Sequence, residues 1–208
     1  MKIFVIGASG MIGSRVVAEA VARGHTVIAG ARNPGKIAVV PGVEPVRVDT
    51  AELASMVGPA VGADVIVATV SPRSTGDAVA EGIANGKAII AVAQAAGKRL
   101  VMVGGAGTLN LPDGSPLLPH LPEMYLAEAT GMKAVSVFLA DSGLDWTFFA
   151  PAGMIAPGER TGVFRLGGNV LLSDAAGVSA ISAEDYAVAL VDELETAAHA
   201  GQIFTIAY

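Results

Sequence analysis

The chain has 208 residues, of which 52% are hydrophobic and 15% charged, and its formal net charge is −6. This composition is too apolar for a disordered chain, and its apolar runs are too short to span a bilayer. The acidic balance and the scattered basic residues argue against a nucleic-acid partner. The absence of cysteine excludes disulfides, thiolate metal sites and a cysteine nucleophile. We expect a single globular domain over residues 1–208, and a cytoplasmic location because no secretory segment precedes the first strand.

Short β-type runs alternate with longer helical patterns up to about residue 150. In chain order these runs are KIFVIG, MIGSRVVAEAVARG, TVIAGAR, PVRVD, TAELASMVG, DVIVATV, DAVAEGIANGKAIIAVAQAAG, RLVMVGG, EMYLAEATGMKAVSVFLADSG and DWTFFAP. The strand candidates are nearly continuous in apolar residues, as in parallel strands that have helices on both faces. The pattern predicts an α/β fold with a Rossmann-like, doubly wound parallel sheet, whose dinucleotide-binding core spans residues 1–150.

Boundary signals agree with this order. Gly24, Gly97 and Gly143 each follow a helical pattern, at the position where a left-handed C-terminal cap is expected. After Pro151 the sequence changes to loop and short-strand material, followed by a helix that opens at Ser182 and by the terminal strand QIFTIAY. We therefore predict that residues 151–208 form a small elaboration on the substrate side of the core.

The motif GASGMIG places Gly7, Gly10 and Gly13 directly after the first strand and at the start of the first helix. In a nucleotide-binding turn the first glycine makes the bend, the second lets the backbone approach a pyrophosphate, and the third lets the helix pack on the sheet. The amides at the helix N-terminus would then face the phosphates, and Ser9 could add a hydroxyl donor. The sequence therefore predicts a dinucleotide site here.

The end of the second strand distinguishes the two nicotinamide cofactors. An acidic residue there would accept hydrogen bonds from the ribose 2′-hydroxyl of NAD. This chain instead has Arg32, with Lys36 close behind, and a guanidinium suits a 2′-phosphate. NADP(H) is therefore predicted in preference to NAD(H), with a solvated loop position as the alternative role of Arg32.

The glycine spacing resembles that of short-chain dehydrogenase/reductase proteins. Nearly the whole chain, including WTFFAPAGMIAPGERTGVFRLG and ISAEDYAVALVDELE, is similar to the compact, atypical NAD(P)H-binding branch often described as NADH-flavin reductases, which has NmrA-like relatives. The resemblance implies that Asp49 and Thr50 flank the adenine and that residues 68–72 run beside the ribose and the nicotinamide. Asp49 could instead cap the helix that starts TAEL. The cofactor contacts implied in addition to Gly7, Ser9, Gly10 and Arg32 are Met11, Ile12, Asp49, Thr50, Thr69, Val70, Ser71, Gly104 and Pro151.

The catalytic set of the carbonyl-reducing members is incomplete in this chain. Those members use a Tyr-x-x-x-Lys pair and a serine, but here Tyr125 is followed four positions later by Ala129, and Lys133 lies eight residues on. Eight residues span about 12 Å along a helix, so this lysine is too far away to pair with the tyrosine hydroxyl. Thr108 is the nearby hydroxyl. Tyr125 is kept as the candidate catalytic residue, with a packing role as the alternative.

An acceptor that takes hydride into a conjugated ring does not require a positioned acid, so a flavin or a quinone fits this site better than a ketone. The alternatives are a non-catalytic, NmrA-like sensor of NADP(H) and an epimerase or dehydratase of the extended branch.

No metal motif is present, and surface or loop roles are expected for His25, His120 and His199. Apolar helix faces leave a homodimer open. The predicted substrate pocket comprises Pro72, Thr108, Leu109, Leu111, Tyr125, Met154 and Ile155.

Overall fold

The computed structural model describes residues 1–72 and 75–208. Five α-helices and ten β-strands are assigned within these ranges. The helices are α1 (Met11–Ala22), α2 (Leu53–Val61), α3 (Ala78–Ala96), α4 (Glu123–Ala140) and α5 (Ala183–Thr196). The strands are β1 (Lys2–Ile6), β2 (Thr26–Ala31), β3 (Val43–Arg47), β4 (Val65–Ala68), β5 (Arg99–Val103), β6 (Trp146–Ala150), β7 (Met154–Ala156), β8 (Arg165–Gly167), β9 (Ala180–Ser182) and β10 (Gln202–Ala207).

The main sheet has the order β3-β2-β1-β4-β5-β6-β10-β8 and is parallel except for the edge strand β8, which runs antiparallel to β10. Side chains alternate across it, because successive residues of a strand point to opposite faces. Ile3 and Val5 of β1 pack on the side of α1 and α5, whereas Phe4 and Ile6 pack on the side of α2, α3 and α4. The predicted doubly wound α/β fold is confirmed.

Local signals place the helix ends where the sequence predicted them. Gly24, Gly97 and Gly143 have φ values of 82°, 61° and 73°, which glycine adopts without the steric cost of a Cβ. The Ser182 side chain accepts a hydrogen bond from the Asp185 amide at 2.9 Å and caps α5. These three turns and this cap confirm the predicted helix boundaries.

The C-terminal part of the chain is more integrated into the core than the sequence predicted. α5 packs against α1, and β10 lies beside β6 within the main sheet. Tyr186 of α5 is fully buried and donates a hydrogen bond to the Phe149 carbonyl at 2.5 Å, and burial raises the pKa of this phenol well above its ordinary value. The elaboration is therefore confined to the segment between β6 and α5, where β7 pairs with β9 in a separate two-stranded sheet.

Within the described ranges, no helix combines the length and the apolar character needed to cross a membrane.

Candidate functional site

A cleft of about 740 Å³ opens at the carboxyl ends of β1 to β4. In a doubly wound sheet this edge is where strand order reverses and where ligands bind. Its walls are the segments that follow these four strands and one face of α3. The predicted cofactor residues that line it are Gly7, Ser9, Gly10, Met11, Ile12, Arg32, Asp49, Thr50, Thr69, Val70 and Ser71.

Gly7 and Gly13 of the motif each occupy a position where a side chain would be sterically excluded, for different reasons. Gly7 has a φ of +90°, and a Cβ there would lie 2.9 Å from the Thr69 carbonyl oxygen. A Cβ on Gly13 would lie 2.2 Å from the Gly7 carbonyl oxygen, so α1 could not pack this closely on the turn. The Thr69 hydroxyl contacts the same turn, within hydrogen-bond distance of the Gly7 carbonyl at 3.1 Å. The turn is therefore held rigidly against the end of β4.

Gly10 differs from the other two because its side-chain direction is largely open. Its φ of −77° suits any residue, and the one close contact of an added Cβ would be the Gly7 carbonyl oxygen at 3.2 Å. Gly10 also precedes α1 without a side-chain cap, so it leaves the first amides of the helix accessible from the cleft. An anion can approach these amides closely, which is the geometry that a pyrophosphate requires.

The segment after β2 supplies positive charge to one end of the cleft. Arg32 and Lys36 are exposed and both line the cleft, as does Asn33 between them in sequence. The Asn33 side chain accepts a hydrogen bond from the Gly35 amide at 3.2 Å and shapes the short turn Pro34–Lys36. Two cations thus stand at the end of β2, where a ribose 2′-substituent would lie.

The segment after β3 corrects one expectation. Asp49 does not cap the helix that follows, because α2 begins at Leu53 and has Glu52 as its N-cap residue. The Asp49 carboxylate instead accepts a hydrogen bond from the Ala51 amide at 3.0 Å, which shapes the turn that carries Thr50. Both residues remain on the wall of the cleft.

α3 contributes three cleft residues that sequence reasoning missed, namely Glu81, Ala84 and Asn85. Asn85 accepts a hydrogen bond from the Thr50 hydroxyl at 2.6 Å, so the segment after β3 is tied to α3. The spacing of Glu81 and Asn85, one helical turn apart, was the available signal. It could not be used because nothing in the sequence shows which face of α3 meets the cleft.

Two predicted cofactor residues lie outside the cleft. A Cβ on Gly104 would meet the Phe148 ring at 2.0 Å, so this glycine permits close packing between β5 and β6. Pro151 is buried at the end of β6, where its carbonyl lies 3.4 Å from the Thr205 hydroxyl. Packing accounts for both residues in this structure.

Three predicted pocket residues are buried and cannot form an open rim. Thr108 is 2% exposed, and its hydroxyl donates to the Gly105 carbonyl at 2.8 Å. Leu109 is 1% exposed, and Pro72 is buried in contact distance of α3 at Gly82. The chain after β5 folds back on itself, and the Leu117 amide donates to the Leu109 carbonyl at 3.0 Å. Leu111 and Ile155 are partly buried, and Met154 is 62% exposed.

The region that would hold a tyrosine–lysine pair is built differently. Ala129, four positions before Lys133, is buried, and a Cβ added to Gly107 would lie 2.8 Å from its methyl group. The Lys133 ammonium donates to the Thr108 carbonyl at 3.2 Å and so braces the loop after β5. Tyr125 is 53% exposed at the start of α4 and does not line the cleft. Exposure of this ring argues against the alternative of a packing role.

The histidines take structural positions. His25 lies 2.8 Å from the Glu195 carboxylate, and His199 Nδ1 lies 2.8 Å from that of Glu193. His120 is exposed at the end of a short 3₁₀ helix, Leu118–His120, before α4. None of the three lines the cleft.

A sequence model of the NAD(P)H-binding family matches residues 7–197. The solved structures that resemble the whole chain include the following three. A Burkholderia pseudomallei protein, provisionally named an exported protein, is 42% identical, with a TM-score of 0.89 and 100% of each chain covered. A Bacteroides thetaiotaomicron protein, provisionally named an epimerase, is 36% identical, with a TM-score of 0.92 and coverage of 100% of this chain and 96% of that one. A Streptococcus pneumoniae protein, provisionally named an NADH-flavin reductase, is 30% identical, with a TM-score of 0.88 and coverage of 100% and 99%.

Proposed function

The chain belongs to the NAD(P)H-binding family of atypical short-chain dehydrogenase/reductase proteins, and from that premise we propose that it is an NADPH-dependent oxidoreductase. Its hydride acceptor is a flavin, a quinone or another conjugated molecule. The observation that carries the proposal is the cleft itself, which joins an open glycine turn at a helix N-terminus to two cations at the end of β2. A cytoplasmic location is part of the proposal because reduced nicotinamide cofactors are kept inside cells, although one similar protein is named as exported.

The residues present fit a phosphorylated dinucleotide. The amides after Gly10 provide a site for the pyrophosphate, and the open Cβ direction of that glycine leaves room for it. Arg32 and Lys36 provide positive charge for the 2′-phosphate, and the Arg32 fork can bind it in a bidentate manner. This charge distribution favours NADPH over NADH.

The proposal of a flavin or quinone as hydride acceptor is supported by the packing around Ala129 and Lys133. Reduction of a ketone places negative charge on oxygen and calls for a positioned acid. The residues that could have formed the acid pair instead pack, with Ala129 against Gly107 and Lys133 on a backbone carbonyl. When bound, the dihydronicotinamide supplies a hydride. A flavin or a quinone takes it into a delocalised ring and obtains its proton from water.

A non-catalytic NADP(H) sensor, as in NmrA-like relatives, is the second candidate. It is favoured by the same packing of Ala129 and Lys133, since a sensor needs a cofactor site and no proton donor. An epimerase, the provisional name of one similar protein, would need the tyrosine–lysine pair for proton transfer, and Ala129 stands where that lysine would be.

Turnover measurements separate these functions. NADPH oxidation would be followed with FMN, FAD, quinones and small carbonyls, alongside direct binding of NADPH and NADP⁺. We expect saturable turnover with at least one flavin or quinone and little with carbonyls. Turnover confined to carbonyls would contradict the acceptor class. Equal binding of both redox forms without turnover on any acceptor would favour the sensor.

A further inference from the structure

A polar pair lies on the wall of the cleft where the segment after β3 meets α3. The Thr50 hydroxyl donates to Asn85 Oδ1 at 2.6 Å, and both residues line the cleft. In this sheet β2 lies between β1 and β3. A dinucleotide with its pyrophosphate at the glycine turn and its adenosine ribose at the end of β2 would therefore have its base beside the segment after β3. Asn85 is thus at the base end of the cleft, away from Gly10.

The hydrogen bond from Thr50 determines which end of the Asn85 amide is available. A side-chain amide has one acceptor oxygen and one donor nitrogen, and the oxygen is the atom that Thr50 engages. Among the residues that the structure describes, none accepts a hydrogen bond from Asn85 Nδ2. Asn85 is partly buried on the cleft wall, and the hydrogen bond from Thr50 orients its amide beside the space that a base would occupy.

A second, smaller cavity also borders Asn85. Its volume is about 20 Å³, enough for one water molecule, and it lies between β4, β5, α3 and α4. Apart from Asn85 its lining consists of glycines and apolar side chains, such as Ile89, Met102 and Val135. A water there would have few polar partners, whereas a purine in the cleft has several. The base is therefore the better partner for the amide donor.

We infer that Asn85 reads the base of the cofactor: Nδ2 donates to the acceptor nitrogen on the Watson–Crick edge of adenine, while Thr50 holds the amide in that orientation. This inference rests on the proposed function, because it needs a dinucleotide in the cleft. Asn85 thereby determines specificity for adenine, and Thr50 acts as its positioning residue.

The inference can be tested with the hypoxanthine analogue of NADP⁺. In this analogue the acceptor nitrogen on the Watson–Crick edge carries a hydrogen, and the amino group beside it is replaced by a carbonyl. A fixed donor facing this N–H loses its hydrogen bond and leaves two donors opposed. We expect the wild-type protein to bind the analogue about tenfold more weakly than NADP⁺ in calorimetric titrations.

Two variants test the assignment. Asn85→Asp replaces the donor by an acceptor, and it should reverse the preference so that the hypoxanthine analogue binds more tightly than NADP⁺. Thr50→Val removes the hydroxyl that holds the amide, so the amide can turn, and it should reduce the discrimination toward equal binding. Asn33→Asp makes the same chemical change elsewhere on the cleft wall and should leave the ratio of the two affinities unchanged. Thermal unfolding without ligand shows whether each variant is folded.

The outcomes are distinguishable. Failure of the wild-type protein to bind NADP⁺ would overturn the proposed function. Equal binding of NADP⁺ and the analogue by wild type, or an unchanged ratio in a folded Asn85→Asp variant, would overturn the role of Asn85 and leave the cofactor site standing. A lowered unfolding temperature with an unchanged ratio would assign Asn85 to a buried water instead.

Discussion

Polar groups have different uses at the two ends of the main sheet. At the amino ends of β5, β6 and β10, Arg99, Thr147, Glu193 and His199 form an amino-end cluster in which Glu193 accepts hydrogen bonds from the other three residues. The Glu193 side chain is 1% exposed, and its Oε1 lies 2.6 Å from Arg99 Nη2. At the carboxyl ends of β1 to β4, by contrast, the polar groups border an open cleft. Buried charges that are paired with one another stabilise the fold, whereas polar groups that border the cleft are within reach of a ligand.

The contact between α1 and α5 also contains a buried charge that is paired with neighbouring charges. Glu19 of α1 accepts a hydrogen bond from Arg160 at 2.8 Å, which ties the elaboration to the core, and one from Arg23 at the end of its own helix at 2.8 Å. The Arg160 hydrogen bond is the main cause that lowers the pKa of Glu19 to about 2, and Arg23 adds to it against the opposing effect of burial. The carboxylate therefore stays charged through the whole neutral range. Glu19, Arg23 and Arg160 are engaged with one another or with neighbouring carboxylates, and none of the three lines the cleft.

The largest effect is expected at the amino-end cluster. Glu193→Ala would leave the Arg99 guanidinium buried without its main partner, and breaking such a pair costs about 3–5 kcal/mol of unfolding free energy. Denaturant unfolding measures this loss. The control is Asp145→Ala, which removes an exposed carboxylate 3.7 Å from the same guanidinium and should cost less than about 1 kcal/mol. Similar losses in both variants would show that burial does not distinguish them.

At the other end of the sheet, Gly10→Val should leave the protein folded but weaken binding of NADPH and NADH by at least about 100-fold. The backbone accepts valine at φ −77°, but the side chain would project toward the phosphate position. Gly168→Val is the control, since an added Cβ there meets nothing within 4 Å and Gly168 does not line the cleft. Unchanged cofactor affinity in a folded Gly10→Val protein would refute the phosphate site.

Arg32→Ala should weaken NADPH binding by about 10- to 150-fold, which corresponds to the loss of one charge-assisted contact of about 1.5–3 kcal/mol. NADH affinity should change little, because NADH has no 2′-phosphate. Arg47→Ala, an exposed arginine at the end of β3 that pairs with Glu52, serves as the control and should alter neither affinity. Equal losses for both cofactors in Arg32→Ala would refute the assignment.

The smallest effect is predicted for Tyr125→Phe, which should lower kcat with NADPH and the best acceptor by less than about tenfold. A positioned general acid contributes about 10²- to 10⁴-fold, but Tyr125 is half exposed and Lys133 is engaged by the Thr108 carbonyl. A hundredfold loss, together with disappearance of a pH-dependent limb, would instead identify Tyr125 as the proton donor. That result would favour a carbonyl compound over a flavin as the substrate.

Sequence predicts best what depends on neighbouring residues. The roles of Gly7 and Gly13, and the left-handed caps, follow from local backbone geometry, and the structure has them as predicted. The burial of Leu109 was not predictable, because it depends on how the chain after β5 folds back. The place of Asn85 depends on which face of α3 meets the end of β3, and the central position of α5 depends on strand order. All three features depend on contacts between residues that are far apart in the sequence.

The central claim is that the cleft at the carboxyl ends of β1 to β4 binds NADPH in preference to NADH. Calorimetric titration of the wild-type protein with each cofactor tests it most directly. We predict one saturable site per chain, with NADPH bound at least about tenfold more tightly, as one charge-assisted contact to the 2′-phosphate requires. Equal affinities, tighter binding of NADH, or no saturable binding of either cofactor would contradict the account.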